Sequence, residues 1–111
     1  METPTMLRLR ITTEETPVKT FAFHPGEILR TEFMEPLGLS AWRLARELDV
    51  PAPRINDIAR GKRGISANTA LRLGRYFGNS AQFWLNLQNR YDLAEAAKDK
   101  SIRKIRNRAA A

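Results

Sequence analysis

The stretch SAWRLARELDVPAPRINDIAR, residues 40–60, decides the fold. Leu44, Ala45 and Leu48 recur at helical spacing, and Ile55 and Ile58 do so again after an interruption at Asp49-Val50-Pro51. Two short helices joined so tightly must cross steeply, with a small residue at the crossing and a turn-tolerant residue after it. Ala45 supplies the first and Asp49, four positions on, the second. Asp adopts the left-handed backbone of such a turn more readily than most non-glycine residues. Leu44, Leu48, Val50, Ile55 and Ile58 then point inward and pin both helices to a core. The pattern is that of a helix-turn-helix.

If those positions face inward, Pro53, Arg54, Asn56, Asp57 and Arg60 face outward. Arginine and asparagine have the paired hydrogen-bonding groups that read base edges in a major groove. Lys62 and Arg63 follow in a glycine-flanked loop, where a phosphate backbone would pass. Ser40, Trp42 and Arg43 open the first helix of the pair and complete the expected DNA-contacting set. Two packed helices with no binding role would share the apolar positions but would not require the outward Arg and Asn.

Charge follows the same division. The 111 residues carry a formal net charge of +7. Residues 40–75 hold eight basic and three acidic side chains, residues 93–111 six and two, and residues 1–39 only four against six. A basic middle and tail beside a slightly acidic head points to a polyanion for the middle. Glu27, Glu32 and Glu35 read as a solvated helix face, or as an acidic surface for a basic partner.

Helical signals extend on both sides. Pro25 and Glu27 suit a first turn after His24, and Ile28, Leu29 and Phe33 continue that helix until Pro36 and Gly38 stop it. Ser66 caps a helix carrying Ala70, Leu71, Leu73 and Phe77, and Ser80 caps another carrying Phe83, Trp84 and Leu87. Residues 93–108 extend as a sixth, with Ala96, Ala97, Ile102 and Ile105 as a thin apolar stripe. Residues 1–23 differ: the alternation Met6 to Ile11 reads as a short strand without a partner, and residues 1–5 and 12–20 are expected to be poorly ordered. The organisation is thus an N-terminal segment 1–23, a compact all-α five-helix domain 24–92 and a basic helix or tail 93–111. Trp84, Leu87 and Tyr91 are expected to bury a spare apolar face against a second copy, giving a homodimer.

Several functions are disfavoured. Apolar residues are 42% and charged residues 28%, ordinary for a globular chain, and no apolar run approaches a membrane span. With no cysteine there is no disulfide framework or thiolate zinc site, and with no apolar leader a cytoplasmic location is expected. His24, the single histidine, lacks neighbours at metal-ligand spacing and reads as a helix-start residue. Gly61-Lys62 is not a phosphate loop, since Asn56 and Arg63 stand where that motif needs Gly and Ser or Thr. No cofactor and no enzymatic activity are expected.

The strings HPGEIL (24–29), EPLGLS (35–40), RLA (43–45), RINDI (54–58), GKRGI (61–65), TALRL (69–73) and FWLNLQ (83–88) resemble the HigA/VapI antitoxin branch of the Xre (Cro-like) helix-turn-helix family. The resemblance covers roughly two-thirds of the chain, and the first and last strings mark the branch. It implies a lambda-repressor-like five-helix domain that dimerises on a palindromic double-stranded operator, represses its own operon and neutralises a RelE/HigB-like mRNA endonuclease toxin. Two other readings stay open: a stand-alone Xre-type regulator, and a toxin-binding protein without useful DNA affinity. The second draws on Ala41, which stands where the family often has Gln.

Overall fold

A computed structural model describes residues 22–110, and the expected strand and disordered stretches before them lie outside the described residues. Helix α1 covers residues 25–37 in three continuous segments, Pro25–Ile28, Leu29–Met34 and Glu35–Leu37. It is followed by α2 (Ala41–Leu48), α3 (Ala52–Ala59), α4 (Ala67–Phe77) and α5 (Ala81–Ala96), then short 3₁₀ turns at Lys100–Lys104 and Arg108–Ala110. Among the described residues there is no strand, and the domain has the expected all-α five-helix architecture.

Helix α1 does not stop at Pro36. Its middle segment widens to a π-helix, with Glu35 N–H donating to the Arg30 carbonyl five residues back. A proline inside a helix loses a donor and drives its ring into the carbonyl four residues earlier, and a π-turn opens the space it needs. The stop comes at Gly38, whose φ of 66° only glycine adopts without strain. Glu32 also departs from the expected solvated face: it is 6% exposed, with its carboxylate near the Thr31 hydroxyl.

Three serines start three helices in the same way. The Oγ atoms of Ser40, Ser66 and Ser80 accept from the N–H groups of Arg43, Thr69 and Phe83. The core they frame is Leu29, Leu44, Leu48, Ile55, Ile58, Ile65, Leu73, Trp84 and Leu87 with smaller residues between. An aromatic cluster ties α1, α4 and α5 together, with Phe33 4.9 Å from both Phe77 and Trp84, centroid to centroid. The Trp84 indole N–H is satisfied by Asn79 Oδ1 at 2.9 Å. Leu71 on α4 is 64% exposed.

The expected sixth helix does not form. Helix α5 ends at Ala96, and Asp99 Oδ1 accepts from both the N–H and the hydroxyl of Ser101. Such a local side-chain turn competes with helical hydrogen bonding. The stripe of Ala96, Ala97, Ile102 and Ile105 is therefore never assembled, and Ile102 and Ile105 are exposed.

Candidate nucleic-acid interface

The turn between α2 and α3 is set at Asp49, whose φ of 59° and ψ of 49° make it the single non-glycine residue with positive φ among the described residues. Ala45, 1% exposed, lets the helices meet, and its carbonyl accepts from Val50 N–H across the turn. Leu44, Leu48, Ile55 and Ile58 are buried as the spacing requires, and Val50 is half-buried.

Two contacts fix α3 from outside. Arg72 on α4 donates from Nη1 to the Leu48 carbonyl at 2.8 Å, satisfying the end of α2, while Asn68 holds its Nε. At the far end, a Cβ placed on Gly26 would lie 1.6 Å from the Ile58 carbonyl oxygen, so the start of α1 seats directly on the end of α3. His24 caps that start: its Nδ1 accepts from Gly26 N–H at 2.8 Å, and its ring meets Tyr91 edge-on at 4.9 Å. Burial holds the His24 imidazole below its usual pKa, with the Asp92 carboxylate acting in the opposite direction. The loop after α3 is held as well, since Gln88 Oε1 on α5 accepts from Ile65 N–H at 2.6 Å.

On this mount the outward residues divide into groups. Pro53, Asn56, Arg60, Lys62 and Arg63 are exposed, and Arg54 and Asp57 are half-buried. Arg54 and Arg63 line one open cleft with Asp49, Pro51, Asn68 and Arg72. Trp42 and Arg43 stand apart in a hollow with Arg46 and Glu47. There Arg43 pairs with Glu47 at 3.1 Å, and the Arg46 guanidinium lies 5.1 Å from the exposed Trp42 ring. Ser40 Oγ accepts in the cap, which leaves its O–H free to donate. Ala41 is half-buried against the core. Arg54, Arg60, Lys62 and Arg63 make no ion pair among the described residues. An array of outward, unneutralised cations around an exposed short helix suits a polyanion better than a small molecule.

A helix-turn-helix family model matches residues 32–84. Virulence-associated protein I of Dichelobacter nodosus is 61% identical over 79 residues, 71% of this chain and 73% of that one. Antitoxin HigA of Pseudomonas aeruginosa, solved with the higBA promoter, superimposes with a TM-score of 0.74 at 53% identity, covering 79% of this chain and 98% of that one. The chain belongs to the HigA/VapI branch of the Xre-type helix-turn-helix family. A second solved structure from Pseudomonas aeruginosa, of a protein on its 18 bp operator DNA, gives a TM-score of 0.73 at 54% identity, covering 78% of this chain and 97% of that one. This HigA/VapI branch is one of helix-turn-helix regulators and antitoxins rather than of enzymes. Among the described residues no group of His, Cys, Asp and Glu is placed to hold a metal ion, and no helix is long and apolar enough to cross a membrane.

The residues singled out for a dimer surface are placed differently. Trp84 is 0% exposed and Leu87 7%, because the aromatic cluster and the α1 contact consume the inner face of α5. Neither side chain has area left for a second copy, and Tyr91 is half-buried against His24. Sequence reasoning missed Arg72 and Gln88 altogether. The Asn68–Arg72 spacing of four was a visible signal for a clamped arginine, but its carbonyl partner, 24 residues away, was not.

Proposed function

We propose that this chain is a sequence-specific DNA-binding antitoxin that represses its own operon and neutralises a RelE/HigB-like mRNA endonuclease. The observation that carries the DNA half is the outward set Arg54, Asn56 and Arg60 on α3 with Lys62 and Arg63 behind it, unpaired by any carboxylate among the described residues. Helix α3 enters the major groove, Arg54, Asn56 and Arg60 supply base discrimination, and Asp57 and Pro53 limit the bases accepted. Lys62, Arg63 and the start of α2, with Ser40, Trp42 and Arg43, meet phosphates. The relatives solved on promoter and operator DNA support this assignment. A two-fold dimer sets two α3 helices about one turn of DNA, roughly 34 Å, apart on a palindromic site. Its contacts use residues outside the core, and Leu93, 62% exposed, is an apolar group that α5 still offers. The protein works in the cytoplasm, where its operator and its toxin are.

Gel retardation with the DNA upstream of its own gene tests the reading. The operator fragment should be retarded at protein concentrations that leave shuffled DNA free, and equal retardation of both would reject sequence-specific repression. The toxin half is tested by co-expression with the product of any short reading frame adjoining its gene that arrests growth when expressed alone, where restored growth is expected and continued arrest would reject the pairing.

A further inference from the structure

Residues 97–109 form an exposed arm with no buried side chain. They are strongly basic, and the acidic residues beside them are occupied. Glu95 pairs with Lys98 at 3.1 Å, and Asp99 is turned onto Ser101. Lys100, Arg103, Lys104, Arg106 and Arg108 make no ion pair among the described residues. The family model ends at residue 84, so the arm lies outside the part of the chain that it describes.

Where the arm starts matters as much as its charge. Gln88 holds the Ile65 N–H, and Tyr91 packs on His24, whose ring a Cβ on Gly61 would approach to 3.9 Å. Helix α5 thus runs beside the Gly61–Ile65 loop that bears Lys62 and Arg63. About six helical residues, roughly 9 Å, separate Tyr91 from the start of the arm. Extended at about 3.3 Å per residue, its dozen residues reach as far as one turn of duplex. An anionic membrane would be met by a continuous amphipathic helix. Here the backbone is broken 3₁₀ and extended chain, and its two isoleucines share no helical stripe.

We infer that residues 98–108 are a second DNA-contacting arm, in which Lys100, Arg103, Lys104, Arg106 and Arg108 neutralise phosphates of the duplex flanking the half-site read by α3. The arm carries no base selection. It adds affinity that depends on salt and on the length of the DNA. This inference rests on the DNA-binding reading above, and the test separates the two.

Affinity is measured by fluorescence anisotropy against salt for the full chain and for its R103Q/K104Q/R106Q/R108Q variant. One duplex holds the operator alone, and a second extends it by about one turn on each side. On the long duplex the variant should lose about 0.9 of salt slope for each tail cation that meets a phosphate, about 3 to 4 per arm. On the short duplex it should match the parent, and restoring lysine at all four positions should restore the slope. Parent and variant alike in slope and affinity on the long duplex would overturn the arm while leaving operator binding intact. Equal losses on both duplexes would overturn its flanking placement. A parent that binds neither duplex would remove the underlying reading and the arm with it. Binding to vesicles rich in anionic lipid, lost in the variant while the operator slope stays unchanged, would assign the cations to a membrane instead.

Discussion

The α2–α3 unit and the arm after α5 carry the same kind of charge on opposite kinds of support. Arg54 sits on a helix whose neighbours Ile55 and Ile58 are 0% exposed, with Arg72 clamping the turn before it and Gly26 seated against its end. Arg103 and Arg106 sit on a chain with every side chain exposed. Charge alone attracts phosphate wherever it is carried. Selecting a base edge requires a side chain delivered at fixed distance and angle, and only a packed mount does that. On the proposed reading, the packed unit supplies specificity and the arm supplies affinity.

The largest way to break it is to remove the mount. Ile55→Ala should destabilise the domain by about 2–5 kcal/mol, whereas Ile105→Ala in the arm should stay within about 0.5 kcal/mol. Urea unfolding of both variants checks this, and a large loss at Ile105 would mean that the arm packs. Next, Arg54→Ala should cost about 1–3 kcal/mol of preference for operator over random DNA. Lys62→Ala should weaken both DNAs alike and lower the salt slope by about one. Paired titrations at several salt concentrations decide the matter, and a Lys62 variant that changes the preference would erase the division of labour.

The turn itself gives a smaller effect. Asp49 holds a left-handed backbone that glycine adopts more easily, so Asp49→Gly should raise stability by about 0.5 kcal/mol with operator preference unchanged. The smallest effect is a pH dependence at the place where α1, the basic loop and α5 meet. Above about pH 7.5 the His24 imidazole is neutral in both folded and unfolded chains and contributes no slope. Below that, the unfolded chain takes up a proton that the folded chain resists, because burial lowers the folded pKa and Nδ1 is accepting from Gly26 N–H. Stability should therefore fall with acid below about pH 7.5, until the folded pKa is passed. Asn at position 24 keeps a cap and has no such proton, so the urea midpoint of His24→Asn should lose this part of the slope between pH 7.5 and 5.5.

What was legible in the sequence was whatever depends on neighbours in the chain. Serine caps, the apolar spacing of α2 and α3, and Asp49 as a left-handed turn residue are all local, and each stands as expected. What was not legible depends on distant partners. Pro36 reads as a stop until the π-turn before it is known, and Glu32 reads as surface until the packing around α1 buries it. Trp84 looks like part of a spare face because Phe33, its partner on α1, is far away in the sequence. The arm looks helical by composition, and one aspartate turning onto Ser101 undoes it. Of the interface, the outward residues of α3 follow from local periodicity. The clamps by Arg72 and Gln88 that give those residues their direction do not.

On the proposed reading, α3 meets base edges in a major groove. Methylation interference at guanine N7 along the operator reads that contact itself, because the atom lies only in the major groove and is a preferred arginine partner. Two clusters of interfering guanines about one helical turn apart are expected, with Arg54→Ala erasing the interference at its own guanine in each. Interference that survives substitution of Arg54, Asn56 and Arg60, or operator binding that no N7 methylation disturbs, would contradict that reading.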